Sequence, residues 1–312
     1  MEPFSDRLAD AIRAKGSPVV VGLDPRAEQL PTGLLLYATR DDPTARAEAY
    51  LRFCRDAIDA VAPLVPAVKP QCAFFEQLGP PGMAALRQVV RHAAAAGLLV
   101  ILDGKRNDIG TTAEAYAEGY LGPGATSAWG GDALTVSPYL GDDSLDPFVA
   151  VAERRGAGIF VLVKTSNPGG GQFQDLPCDG RPLYEHVAAH VEQLAAASAG
   201  ECGYGSVGAV VGATYPEQLA RLRGLMPHAW ILIPGYGSQG GIARDVAGGF
   251  DERGLGALVT NSRGIIFAHA RPEYARFGAA RWQSAVEAAA RDMLEALRAE
   301  TPAGRLPSPR TN

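Results

Sequence analysis

The chain has 312 residues, 29 Lys and Arg against 34 Asp and Glu, a formal net charge of −5 and 47% hydrophobic residues. The acidic balance leaves no electrostatic footprint for nucleic acid, and the ordinary apolar content argues against a disordered chain. No apolar run reaches the ~20 residues of a membrane helix, the opening Met1–Arg7 is polar rather than leader-like, and Cys54, Cys72, Cys178 and Cys202 form neither a CxxC pair nor a dense disulfide framework, so a soluble cytoplasmic protein is expected.

In chain order, Phe4–Lys15 reads as a short helix closing the floor of the domain. Apolar, β-branched runs then recur at Pro18–Asp24, Pro66–Gln71, Leu98–Lys105 and Ala133–Tyr139, and again at Gly158–Ser166, Val207–Thr214, Ala229–Tyr236 and Ala257–Arg263. Their continuous apolar character suits parallel strands buried on both faces. Ala-rich stretches between them, including Thr44–Val61, Gly82–Ala96, Leu183–Ala197 and Glu273–Arg298, carry apolar residues at spacings of three and four. Eight alternating units predict an α/β fold, a single-domain (β/α)8 TIM barrel over residues 1–300, with an open doubly wound sheet as the alternative. Residues 301–312, with three prolines, read as a disordered tail.

Catalytic groups of such barrels sit at the C-terminal ends of the strands. There the sequence sets Asp24, Lys69, Asp103-Gly-Lys105 followed by Arg106-Asn-Asp108, Thr165-Ser166-Asn167, Pro234-Gly235 and Ser262-Arg263-Gly264. Charges in strands this apolar are costly unless paired, and surface ion pairs do not explain five at one end. Asp103 and Lys105 are two apart, on one face of an extended strand. Asp108 follows before the next helix, where Thr111–Glu114 reads as a capping box. The reading is carboxylate, ammonium and carboxylate around one point, with attraction of about 4 kcal/mol per pair at 4 Å and an effective dielectric near 20. Such neighbours favour the charged lysine, suited to acid or electrostatic work rather than to a Schiff base.

Arg263 and nearby backbone amides fall where the loops after the last two strands bind phosphate in many barrels, and Gly235–Gly241 adds a flexible run of amides. That run and Gly203–Gly208 both match GxGxxG, but neither has the strand–turn–helix context and ribose-binding acid of a dinucleotide site. His186 and His190 are spaced like a metal pair but read as a solvated helix face; no histidine falls at a strand end, no GxSxG is present, and Cys72 reads as an inert lining residue.

With Asp103-x-Lys105-x-x-Asp108 in view, the chain resembles the orotidine 5'-phosphate decarboxylase family, most closely its longer bacterial group. The resemblance runs from Phe4 to about Leu297. It rests on Val21-Gly-Leu-Asp24-Pro, Val68-Lys69-Pro-Gln71, Leu102–Gly110, Ser166-Asn-Pro-Gly169, Val211-Gly-Ala-Thr214, Pro234–Gly241 and Ser262-Arg-Gly264. It implies a barrel without metal or cofactor that converts orotidine monophosphate to uridine monophosphate and carbon dioxide in pyrimidine biosynthesis. By motif, Lys105 protonates the C6 carbanion, and Asp103, Asp108 and Lys69 form the charged network. Asp24 and Lys69 contact the ribose, and Ser166 the pyrimidine. Pro234 lines the substrate site and Gln239 bridges base and phosphate, while Arg263 and Gly264 bind the phosphate. Asp108, Ile109 and Thr112 reach the partner's site, implying a homodimer with shared sites. Ser262 and Asn167 depart from residues common in relatives, glycine and histidine respectively. A metal-dependent sugar-phosphate lyase of the same superfamily, or a non-catalytic phosphoribosyl-binding barrel, remain as alternatives.

Overall fold

The computed structural model describes residues 1–38, 41–237 and 240–308. Eight parallel strands close a barrel: β1 (Val19–Leu23), β2 (Ala67–Pro70), β3 (Leu99–Arg106), β4 (Ala133–Val136), β5 (Gly158–Lys164), β6 (Val207–Val211), β7 (Ile231–Ile233) and β8 (Ala257–Asn261). Each pairs with its neighbours in sequence, and β1 closes on β8 with Val19 opposite Val259. The open-sheet alternative is thereby excluded. All eight predicted strands form, each within a few residues of its sequence bounds. Their unbroken apolar runs are buried on both faces because side chains fill the barrel inside and helices cover it outside.

The main covering helices are α1 (Phe4–Lys15), α2 (Pro43–Val61), α3 (Gly79–Ala95), α4 (Gly110–Tyr120), α5 (Asp146–Arg155), α6 (Leu183–Ala197), α7 (Pro216–Leu225) and α8 (Trp282–Glu300). On α1, Phe4, Leu8 and Ile12 repeat at four and are buried. The Phe4 ring meets Phe160 edge-on at 6.1 Å. Gly158 starts β5 so close that a Cβ there would lie 2.3 Å from the Phe4 ring. Arg7 joins this floor to the barrel, donating to Asp132 Oδ1 at 2.6 Å while Asp132 Oδ2 accepts the Val100 N–H. No helix among the described residues is long and apolar enough to cross a membrane.

Three local expectations are corrected. The helix predicted over Glu273–Arg298 starts only at Trp282: two 3-10 turns, Pro272–Phe277 and Ala279–Arg281, precede it, with Gly278 at φ +66° between them. No capping box forms at Thr111–Glu114. The helix already begins at Gly110, without a side-chain cap, and the Asp108 carboxylate takes the Ile109 N–H at 2.9 Å. Of the segment read as a disordered tail, the described residues 301–308 pack on the barrel. Pro302–Arg305 make a 3-10 turn, Ala303 and Leu306 are buried, and Arg298 ties Leu306 O and Gly16 O to the barrel floor. Proline content alone misreads this segment, since two small apolar contacts and one guanidinium suffice to dock it.

Candidate active site

At the C-terminal end of the barrel, β2 and β3 bring Lys69 and Asp103 together, with Nζ donating to Oδ2 at 2.5 Å. Both side chains are 8% exposed. Lys105 Nζ donates to the other oxygen, Oδ1, at 2.6 Å, and its side chain is 47% exposed. Asp103 accepts twice more, from Gln71 Nε2 at 3.1 Å and from the Thr135 hydroxyl at 2.9 Å. One carboxylate thus takes four hydrogen bonds, two of them from ammonium groups, and its charge makes each stronger than a neutral one.

These neighbours set the protonation states of the buried pair. Burial opposes ionisation of Asp103, but Lys69 and Lys105 outweigh it and hold the carboxyl well below the usual carboxylate range. Burial likewise opposes the charge on Lys69, yet the Asp103 and Asp24 carboxylates raise its pKa above the ordinary lysine value. Cys72, beneath this array, is pushed up to about 12, chiefly by burial, as befits an inert thiol.

Lys105 does not reach Asp103 by regular strand alternation. Between Leu102 and Arg106 the register against β4 shifts, so that the four-residue step from Leu102 to Arg106 is matched by two residues of β4. Lys105 sits at φ +44°, a region sparsely occupied by residues other than glycine and typical of strained functional sites. Its N–H donates to Thr135 Oγ1 at 2.9 Å, so the hydroxyl that donates to Asp103 also holds the bulge. The pattern of the array differs from the one expected. It is ammonium, carboxylate and ammonium (Lys69, Asp103, Lys105), because Asp108 lies beyond the bulge and spends its carboxylate on the backbone of the α4 entry.

Three adjoining cavities cross the barrel mouth. The first, about 580 Å³, joins Lys69, Asp103 and Lys105 to Thr135, Ser166 and Pro234. The second, about 480 Å³, shares Lys69, Asp103 and Pro234 and adds Asp24, Ser262 and Arg263. The third, about 520 Å³, shares Tyr236 and Arg263 with the second and adds Gly264, Asn261 and Arg271. Asp24 Oδ1, Thr260 Oγ1 and Ser262 Oγ, all lining the second, are buried without hydrogen-bond partners among the described residues. Buried polar atoms left so are costly, and a polar ligand would satisfy them.

Ser166 owes its position to Gly212, where a Cβ would lie 2.7 Å from the Ser166 Cβ. The loop carrying Ser166 is stapled by Gln174, which accepts the Thr165 N–H and donates to its hydroxyl. It is further pinned by Asp175 on Lys164, whose side chain is 3% exposed and near the Tyr184 and Tyr215 rings. Gly264 is already engaged, its N–H donating to Asn261 Oδ1 at 3.1 Å.

Of the residues singled out in the sequence, the structure thus gathers Asp24, Lys69, Asp103, Lys105, Ser166, Pro234, Arg263 and Gly264 along one trench. Gln239 lies outside the described residues. Asp108, Ile109 and Thr112 line none of the three cavities; Ile109 and Thr112 are exposed at the start of α4. Sequence reasoning missed Thr135 and Gln71. Both left a signal: Thr135 is the one polar residue in the β4 run Ala-Leu-Thr-Val, and Gln71 follows Lys69 by two.

The family model for the orotidine 5'-phosphate decarboxylase / HUMPS family matches residues 17–276. Orotidine 5'-phosphate decarboxylase of Rhodopirellula baltica is 56% identical over 301 residues, 96% of this chain and 100% of that one. A candidate orotidine 5'-phosphate decarboxylase from Streptomyces avermitilis has a solved structure superposing with a TM-score of 0.79 at 39% identity, over 96% of both chains. The chain also matches Leishmania donovani UMP synthase, with a TM-score of 0.76 and 36% identity, over 96% of its own length but only 57% of that longer protein. The match over most of the barrel, at these identities, means that the chain belongs to the orotidine 5'-phosphate decarboxylase / HUMPS family.

Proposed function

We propose that the protein is a cytoplasmic orotidine 5'-phosphate decarboxylase, a carboxy-lyase that releases carbon dioxide from orotidine monophosphate to give uridine monophosphate in pyrimidine biosynthesis. The observation that carries this reading is the buried Lys69–Asp103–Lys105 array opening into a trench that ends at Arg263. Loss of carbon dioxide leaves an electron pair on C6 of the ring, with no adjacent sink. Stabilisation must then come from charge already in place. Lys105, the more exposed of the two ammonium groups, stabilises the developing carbanion and delivers its proton to C6. Lys69 and Asp103 fix its position, with Lys69 also meeting the ribose. Repulsion between Asp103 and the substrate carboxylate has a secondary role.

Asp24 contacts the ribose hydroxyls, Ser166 the pyrimidine, Pro234 the wall between base and ribose, and Arg263 and Gly264 the phosphate. Gln239 bridges base and phosphate. Phosphate binding, remote from the reacting carbon, helps drive the enclosure of the base. In this reading the enzyme is a homodimer in which Asp108, Ile109 and Thr112 complete the partner's site. Their position outside this chain's own trench supports it, as do the exposed apolar side chains of Ile109, Tyr116, Tyr139 and Leu140.

A metal-dependent sugar-phosphate lyase would need a metal-binding acid where this chain has Lys69, and a buried ammonium 2.5 Å from Asp103 repels a divalent cation. The test is the ultraviolet loss of orotidine monophosphate with purified protein in excess chelator. Rapid conversion to uridine monophosphate is expected. Nucleotide binding without conversion would favour the binding-barrel alternative, and activity lost on chelation would overturn the metal-free mechanism.

A further inference from the structure

Arg26 has no part in the assignments above, yet it lines the same cavity as Asp24, Lys69 and Arg263. Pro25 fixes the local backbone, and Arg26 is extended at φ −130°, ψ 124°, so residues 24 and 26 fall on one side of the chain after β1. The guanidinium lies over the Phe74 ring, 5.5 Å from its centroid. Phe74 lines the cavity too. The Arg26 Nε–H is buried and has no acceptor among the described residues. A buried donor without an acceptor costs free energy, and an anionic oxygen is the acceptor that best recovers it.

The charge pattern of the cavity points to the same ligand atom. Its two carboxylates are Asp103, which Lys69 and Lys105 neutralise, and Asp24, whose Oδ1 is orphaned. A ligand with both hydroxyls and a dianionic phosphate needs Asp24 at the hydroxyls, and cations beyond it to offset the repulsion. Arg263 is one; Arg26 is the second guanidinium of the cavity.

We infer that Arg26 is a substrate-binding residue that, together with Arg263, grips the 5'-phosphate of the nucleotide. The inference rests on the proposed nucleotide substrate. A planar guanidinium held flat on an aromatic ring is pre-organised for a forked contact with phosphate, which lysine cannot reproduce.

The experiment titrates the full-length protein calorimetrically with uridine monophosphate and with uridine, alongside turnover of orotidine monophosphate. Arg26→Gln is expected to weaken uridine monophosphate binding roughly tenfold or more while leaving uridine binding unchanged. Arg26→Lys should recover only part of the loss, and the salt dependence of nucleotide binding should fall in Arg26→Gln. Equal weakening of both ligands would reassign Arg26 to the ribose or to loop structure, and unchanged nucleotide affinity would remove it from the site; either overturns the inference. Wild-type protein that neither binds uridine monophosphate nor converts orotidine monophosphate would instead overturn the proposed function. A second measurement needs no variant: uridine monophosphate, but not uridine, should protect Arg26 of the wild-type protein from phenylglyoxal, read by peptide mass spectrometry. Equal modification with either ligand contradicts a phosphate contact.

Discussion

Lys69 and Asp103 meet at 2.5 Å with both side chains almost fully buried, while Lys105 reaches the other oxygen of the same carboxylate from a largely open position. The difference in exposure separates two roles within one array. The buried ammonium holds the carboxylate, and the open one faces the cavity where a substrate would lie.

Lys105→Ala should therefore abolish turnover of orotidine monophosphate while uridine monophosphate binding stays measurable by calorimetry. Full activity in this variant would remove Lys105 as proton donor.

Asp103→Asn leaves the Lys69 ammonium buried without its charged partner. Breaking such a pair typically costs about 3–5 kcal/mol, and the urea midpoint should fall accordingly. The pH dependence follows from the directions of the two shifts. Asp103 is depressed in the folded protein, so its stabilisation is present above the unfolded carboxyl pKa near ~4 and is lost as pH falls below that value toward its native pKa. Lys69 is raised, so its contribution is full below the unfolded lysine pKa near ~10.4 and is lost as pH rises through the higher folded value. Stability measured against pH should show this acid-side loss in wild-type protein and a weaker one in Asp103→Asn. Matching acid limbs would contradict the assignment.

Thr135→Val keeps the shape of β4 but removes the hydroxyl that accepts the Lys105 N–H and donates to Asp103. Loss of aim at Lys105 should lower kcat roughly tenfold or more with little change in KM, since neither Asp24 nor Arg263 is disturbed. Thr135→Ser should restore most of it. A rise in KM alone would place Thr135 in binding instead.

Shared sites predict complementation. Lys105→Ala and Asp108→Ala proteins, each inactive, should regain part of the wild-type rate when mixed and allowed to exchange subunits, because one heterodimer site is intact. Proven exchange without recovery would argue that Asp108 acts within its own chain or not at all.

The sequence alone determined eight parallel strands alternating with helices, because unbroken apolar runs of β-branched residues leave parallel strands buried on both faces as the consistent reading. That they close into a barrel rather than an open sheet was decided by the pairing of β1 with β8. The sequence also located the charged strand ends, since Lys69, Asp103 and Lys105 interrupt those runs where ionised groups are costly unless paired. What it could not determine was which charges touch. The spacing was read as gathering Asp103, Lys105 and Asp108 around one point, whereas in the structure Lys69 and Lys105 share the Asp103 carboxylate and Asp108 lies past the bulge, on the backbone at the α4 entry. Only the tertiary structure decided that, because the bulge depends on the Thr135 hydroxyl of the next strand. It likewise decided that Gln71 reaches Asp103, that Arg26 lines the cavity over Phe74, and how the residues after α8 dock. Each of these depends on contacts between segments distant in the chain, and no local period encodes them.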